Sequence, residues 1–132
     1  MADDRPTAQQ VDQFILSNIE SVPHLESLLL LWNERPKPWT SAALAARLYV
    51  DRQVAQKVLQ DLAQRDLIAA VPGKSDEFCY ESKNDDRDRL LEAVSATYRR
   101  ELVRISTLIH SKAPAAVREF AKAFRFKKEQ SS

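Results

Sequence analysis

Apolar residues recur at three- and four-residue spacing through the first third of the chain, and this spacing predicts two helices. Thr7 can cap a first helix over residues 8–20. One face of that helix is apolar: Val11, Phe14, Ile15 and Ile19. Pro23 suits the first turn of a second helix. The second helix carries a stripe broad enough to predict a central, nearly surrounded position: Leu25, Leu28, Leu29 and Trp32, widened by Leu30 and Leu31.

The pattern then predicts a pair of shorter helices. Pro36 and Pro38 end the second helix. Pro38 and Trp39 are then predicted to form a short extended segment. Thr40 or Ser41 can cap a helix over 41–48. We expect the buried face of that helix to consist of four residues: Ala42, Leu44, Ala45 and Leu48. After a brief turn, Asp51 is expected to cap a further helix, 52 to about 65, by accepting hydrogen bonds from its first free N–H groups.

A hairpin and further helices complete the predicted elements. Residues 67–71 and the stretch "FCYES" read as two strands joined by the turn "PGKSDE". Asp85 or Asp86 then starts a long helix that runs to about residue 112. Its apolar stripe comprises Leu91, Val94, Tyr98, Leu102, Ile105 and Ile109. Pro114 ends or restarts this helix, and a last amphipathic helix follows over 113–128.

The stretch "YVDRQVAQKVLQDL", residues 49–62, divides into an apolar and a polar side when it is drawn as a helix. The apolar side comprises Val54, Ala55, Val58, Leu59 and Leu62. The polar side comprises Arg52, Gln53, Gln56, Lys57, Gln60 and Gln64. Arginine can pair with guanine and glutamine with adenine at base edges. Surface helices also carry such residues where they face only water, so both interpretations stay open at this point.

The order helix, short strand, helix, helix and hairpin is that of a winged helix-turn-helix. Residues 23–82 resemble the MarR-like and related winged-helix transcriptional regulators of bacteria, chiefly through "WTSAALAARLYVDRQVAQKVLQDLAQRDLIAAV". The resemblance implies that the helix 52–65 is a recognition helix leading into the wing. It also implies that Lys74, at the wing tip, reaches the DNA backbone, and we assign Arg47 the same role.

The predicted fold is therefore mainly α, a winged helix-turn-helix with a two-stranded wing, flanked by an N-terminal helix and long C-terminal helices. The chain divides into an N-terminal helix, 1–22, the winged-helix domain, 23–82, and a long helix for dimerisation or packing, 83–112. A basic amphipathic C-terminal segment, 113–132, follows.

Charge is distributed unevenly along the chain. Residues 1–82 contain 8 Lys and Arg against 12 Asp and Glu, a net charge of −4, and residues 83–132 contain 12 against 7, a net charge of +5. The wing tip places Asp76 and Glu77 beside Lys74. Because phosphate neutralisation supplies much of the affinity for DNA, an acidic domain needs a local basic patch. The alternative is a winged-helix protein-interaction module that docks a partner through the wing, the long helix or the tail.

The long helix needs a partner for its stripe, because it extends past a domain of about 60 residues. In the resembling regulators, flanking helices often build a dimer, so a homodimer is expected; the alternative is an intramolecular layer in a monomer. The basic segment can lie on the protein body, hold an anionic partner or lie on an anionic membrane. The predicted partner-binding residues are Leu91, Val94, Tyr98, Leu102, Ile105, Phe120 and Phe124.

Candidate catalytic chemistry is sparse. The two histidines, His24 and His110, are far apart in sequence, and no P-loop, GxSxG, HExxH or CxxC motif occurs. The single cysteine, Cys79, is interpreted as a small apolar strand residue. We therefore expect no enzyme, no metal site and no cofactor. The polar N-terminus and the lone cysteine favour a cytoplasmic protein without a membrane span.

Overall fold

The computed structural model describes residues 5–111. Helix α1 (Ala8–Asn18) begins after Thr7, which forms a reciprocal capping box with Gln10. Helix α2 (Val22–Asn33) begins after Ser21 and carries its proline in the first turn. The predicted cap of α1, the predicted first-turn proline of α2 and the apolar stripes of both helices are therefore confirmed.

Helices α3 (Ser41–Leu48) and α4 (Arg52–Gln64) form the predicted pair. Thr40 caps α3 by accepting a hydrogen bond from the Ala43 N–H at 3.1 Å. Two expectations are wrong. Asp51 occupies the N-cap position of α4, but its side chain makes no cap hydrogen bond. Ala42 is exposed, because α3 turns only Leu44 and Ala45 fully into the core.

The wing is a two-stranded antiparallel sheet of β1 (Ala69–Ala70) and β2 (Phe78–Cys79), shorter than the predicted strands. The residues just before β1, Leu67 and Ile68, are buried in the core instead. The predicted extended piece before α3 is confirmed, since Trp39 pairs with Phe78 through two backbone hydrogen bonds of 2.7 and 2.9 Å. Trp39 therefore holds the wing against the helix pair.

A second contact ties the wing to α3. The Asp76 carboxylate, in the turn of the wing, accepts hydrogen bonds from the backbone N–H of Ser41, at 3.2 Å, and from its hydroxyl. Ser41 is buried and opens the first turn of α3. Asp76 thus places its negative charge at the positive end of a helix, where a carboxylate is stabilised.

We expect Asp76→Ala to lower the free energy of unfolding by about 1–2 kcal/mol, because a buried N–H and a buried hydroxyl lose a charged acceptor. Chemical denaturation measures this loss. Glu77→Ala is the matched control, since it removes the neighbouring carboxylate without breaking these bonds. Equal effects of the two substitutions would contradict the role of Asp76.

The prediction of one long helix over 85–112 is wrong, because the structure has two helices there. Helix α5 (Asp85–Arg100) ends at Glu101, whose φ of −129° and ψ of 47° leave the helical region, and α6 (Leu102–Ser111) follows. The break lets α6 turn onto α1. Arg104 there bonds both Asp12 of α1, at 2.9 Å, and Glu101, at 2.7 Å.

One core unites the described helices. Helix α2 packs against α3, α4 and α5, and α1 packs against α5 and α6. The second helix is central, as its broad stripe predicts. The largest side chains that are completely enclosed are Ile15, Ile19, Leu25, Leu28, Leu31, Leu44, Leu59, Leu62, Leu91, Ile105, Ile109 and Val11.

Candidate nucleic-acid interface

The polar side of α4 faces outward. Its exposed side chains are those that the sequence proposes as readers of base edges: Arg52, Gln53, Gln56, Lys57 and Gln60. The opposite side is buried through Ala55, Val58, Leu59 and Leu62. The amphipathic period therefore fixes the orientation of the helix, with its core residues holding the polar side in solvent.

Val54 departs from the predicted apolar side. Its side chain is 42% exposed, and it lines a shallow apolar depression with Pro23 of α2. Val54 lies at the edge of the apolar side of α4 rather than at its centre. The core therefore covers the other apolar residues of this side and leaves the Val54 side chain partly in solvent. Apolar side chains at such positions can contact a thymine methyl group in the major groove.

The proposed backbone contacts lie on the elements that flank α4. Arg47 is exposed in the last turn of α3, and Lys74 is exposed in the turn of the wing next to Gly73. Gly73 has a φ of +77°, a left-handed conformation that glycine adopts without strain. The structure gives the two bases the exposure that phosphate contacts need, and their contact with DNA remains a prediction.

Two exposed bases near the wing were missed in the sequence. Lys37 places its Nζ 4.4 Å from the ring centroid of Trp39, the residue that pairs with the wing. Arg35 lies over Trp32, with its Cζ 3.5 Å from the ring centroid. These cation–π contacts hold two positive charges beside the wing. The signal in the sequence is the pair of bases between two tryptophans in "WNERPKPW".

A chain of polar contacts connects α4 to α2. The Nε2 atom of His24 lies 2.9 Å from a carboxylate oxygen of Asp61, and the Nδ1 atom lies 2.5 Å from the hydroxyl of Ser21. The other carboxylate oxygen of Asp61 accepts from the Lys57 ammonium group at 2.9 Å. Lys57, a proposed DNA contact, is thereby held along the helix while its side chain stays 71% exposed.

The pKa shifts follow from these contacts. Burial acts to raise the pKa of Asp61, but hydrogen bonds from Lys57 and His24 outweigh it, and the pKa lies below its ordinary value. The same hydrogen bond and charge of Asp61 raise the pKa of Lys57. Lys57 therefore carries a positive charge over the whole neutral range, as a contact to an anionic ligand requires.

The contacts of His24 bring it next to two carboxylates that lie far from metal-ligand spacing in the sequence or outside its helix. Within residues 5–111, possible ligand atoms of Glu20, His24 and Asp61 lie within 4.8 Å of one another. Each of these groups already has a protein partner, since Arg65 bonds Glu20 at 2.7 Å. We interpret the cluster as an ion-pair network that fixes α4 on α2. The separation of 37 positions between His24 and Asp61 hides this proximity from sequence reasoning.

The predicted partner-binding residues of the C-terminal helices divide into two groups in the structure. Those packed inside the single chain are Leu91, Val94, Tyr98 and Ile105. Tyr98 also donates a hydrogen bond to Glu26 of α2 at 2.9 Å. Leu102 is 52% exposed and lies beside Val103, which is 78% exposed. Phe120 and Phe124, with the basic segment, lie outside the described residues.

Comparisons with known proteins address the fold. No protein-family model matches the chain, and no curated protein matches it. The crystal structure of MepR, a transcription regulator of the Staphylococcus aureus multidrug efflux pump MepA, matches with a TM-score of 0.50. The match covers 93% of this chain and 87% of that chain at 18% sequence identity.

The chain has the winged-helix fold. The MarR-like regulator fold and the mainly helical class expected from the sequence are thus confirmed. In this fold α3 and α4 are the helix pair, α4 is its second helix and the β1–β2 sheet is the wing. Within residues 5–111, no helix combines the length and the apolar character needed to cross a membrane.

Proposed function

We propose that the chain is a transcriptional regulator that binds double-stranded DNA, with α4 in the major groove and the wing against the backbone. One observation carries this proposal. The polar side of α4 is open to solvent along its length, beside a wing whose tip presents Lys74. A major groove about 12 Å wide admits a helix held in this way.

The assigned roles follow the chemistry of the side chains. Arg52 and the glutamines Gln53, Gln56 and Gln60 would read base edges, and Lys57 would contact a guanine or a phosphate. Arg47 and Lys74 would hold phosphates. The acidity of the domain is compatible with this arrangement, because Asp76 and Asp61 are engaged within the protein. A helix N-terminus offsets part of the negative charge of Asp76, and Lys57 and His24 donate to Asp61.

In vitro selection from a random duplex library tests this proposal without knowledge of an operator. We expect repeated selection at low salt to enrich one sequence family, and fluorescence anisotropy to show that the full chain binds it at least 1,000-fold tighter than unrelated duplex. Absence of enrichment, together with absence of binding at low salt, would contradict DNA binding. The protein-interaction alternative is not favoured by the comparison with a transcription regulator.

We propose further that the regulator is a cytoplasmic homodimer. Leu102 and Val103 leave two large apolar side chains in solvent at the start of α6. Adjacent exposed apolar side chains often mark an interaction surface. In a dimer that binds two adjacent half-sites, the two copies of α4 would lie about 34 Å apart, one turn of B-DNA.

We expect the double variant Leu102→Glu, Val103→Glu to weaken the dimer at least about tenfold, because charges would enter an apolar interface. Analytical ultracentrifugation over a concentration series measures the dissociation constant. Ala43→Glu, on the exposed side of α3, is the control and should leave it unchanged. A monomeric wild-type chain, or a double variant that associates normally, would contradict this surface.

A further inference from the structure

Tyr49 occupies the turn between α3 and α4 in an unusual conformation. Its φ of 58° and ψ of 45° lie in the left-handed region, and its backbone N–H closes α3 by bonding the Ala45 carbonyl. Within residues 5–111, Asp66 is the other non-glycine residue with positive φ. The side chain of Tyr49 is 94% exposed, the most open of the large hydrophobic residues described.

The fold does not account for a tyrosine at this position. A left-handed residue is favourable for glycine, whereas any side chain brings its Cβ too close to the neighbouring carbonyl. An exposed ring returns no packing energy to offset this strain, and within the described residues the hydroxyl of Tyr49 has no hydrogen-bond partner. A strained residue that gains nothing from its own chain points to a role in binding.

The surroundings of Tyr49 indicate the kind of ligand. It lies between Arg47, in the last turn of α3, and Arg52, in the first turn of α4, and both are exposed. A phenol whose sequence neighbours on both sides include an exposed base can donate its O–H to an oxygen of an anionic ligand. Tyrosine side chains commonly donate in this way to phosphate oxygens of duplex DNA, where they fix register without reading sequence.

We propose that Tyr49 is a backbone-positioning residue of the regulator, donating its hydroxyl to a DNA phosphate at the edge of the groove that α4 enters. The inference rests on the proposed function. It adds a contact by a neutral side chain to the proposed contacts of Arg47 and Arg52. The turn would then set how deeply the N-terminal end of α4 enters the groove, since its residues are the nearest to Tyr49.

Tyr49→Phe tests the hydroxyl alone, because the ring and the backbone are kept. We expect anisotropy to show at least about tenfold weaker binding, since one hydrogen bond to a charged group is lost. The loss should be equal for the selected duplex and for unrelated duplex. The dependence of affinity on salt should stay unchanged, because a neutral donor releases no counterion, whereas Arg47→Ala should reduce that slope by about one.

Tyr49→Gly separates binding from folding. We expect the melting temperature to rise, because glycine relieves the left-handed strain, while the affinity for DNA falls at least as far as in Tyr49→Phe. Wild-type affinity in both variants would overturn this inference alone. A lower melting temperature together with weaker binding in Tyr49→Gly, and normal binding in Tyr49→Phe, would assign the ring a structural role and overturn it equally. A wild-type chain that binds no duplex would overturn the proposed function, and this inference with it.

Discussion

Replacing Arg52 and Lys57 together by alanine should weaken binding of the selected duplex about 100-fold, since each lost contact to a base edge or phosphate contributes roughly 1–3 kcal/mol. Both side chains are exposed on the polar side of α4. The double variant should fold normally. Lys57 is 71% exposed, and Asp61 keeps its hydrogen bond to His24 when Lys57 is removed.

The matched control removes the same two charges elsewhere. The control is Arg89→Ala with Arg100→Ala, at two exposed residues of α5 that line a depression with Ala8 and Val11 of α1. We expect this control to change the affinity by no more than about threefold, through long-range electrostatics alone. If both double variants weaken binding equally, the protein attracts DNA through its net charge and α4 reads nothing.

Ile105→Ala should lower the free energy of unfolding by about 2–4 kcal/mol, because it deletes a completely buried side chain and leaves a cavity between α6 and its neighbours. The predicted position of Ile105 on a dimer surface gives a different expectation, namely a loss that depends on protein concentration. In the structure α6 packs on α1 of the same chain. Urea denaturation at two protein concentrations distinguishes the two arrangements.

Leu102→Ala is the comparison on the same helix. Its side chain is 52% exposed in the single chain, so any loss of stability should appear through dimer association and grow on dilution. The effect of Ile105→Ala should instead be the same at both concentrations. A concentration-dependent loss in Ile105→Ala would show that α6 exchanges partners between subunits.

The first four helices could be predicted because local chemistry and the core agree on them. Thr7, Ser21 and Thr40 supply side-chain caps in front of apolar stripes, and prolines separate α2 from α3. Where the two signals coincide, the boundaries are correct to within about two residues. The resemblance over residues 23–82 then gives the order of the elements, which the structure confirms.

Tertiary contacts decided what the sequence could not predict. No proline or glycine marks the break between α5 and α6 at Glu101. We attribute the break to the packing of α6 on α1, where Arg104 forms an ion pair with Asp12. Asp51 has the right chemistry for a cap, yet its side chain accepts no N–H of α4. Val54 belongs to the apolar side by period alone, but the core ends beside it.

The partners of the charged groups in the candidate site could not be predicted for the same reason. Counted along the chain, the acids of α4 and the wing cancel its bases. In three dimensions Asp76 faces the buried start of α3, and Asp61 lies between Lys57 and His24. A net charge summed over the sequence treats these carboxylates as free, whereas hydrogen bonding commits them to the protein. The exposed polar side of α4 was predicted, because it follows from helical period.

Methylation protection of the complex with the selected duplex tests the central claim, that α4 reads the major groove. Dimethyl sulfate modifies guanine at N7, in the major groove, and adenine at N3, in the minor groove. We expect N7 protection in two patches about 10 base pairs apart, one for each α4 of a dimer. Adenine N3 beneath α4 should remain reactive. Unprotected N7 atoms throughout a bound duplex would contradict the assignment of α4 as the recognition helix.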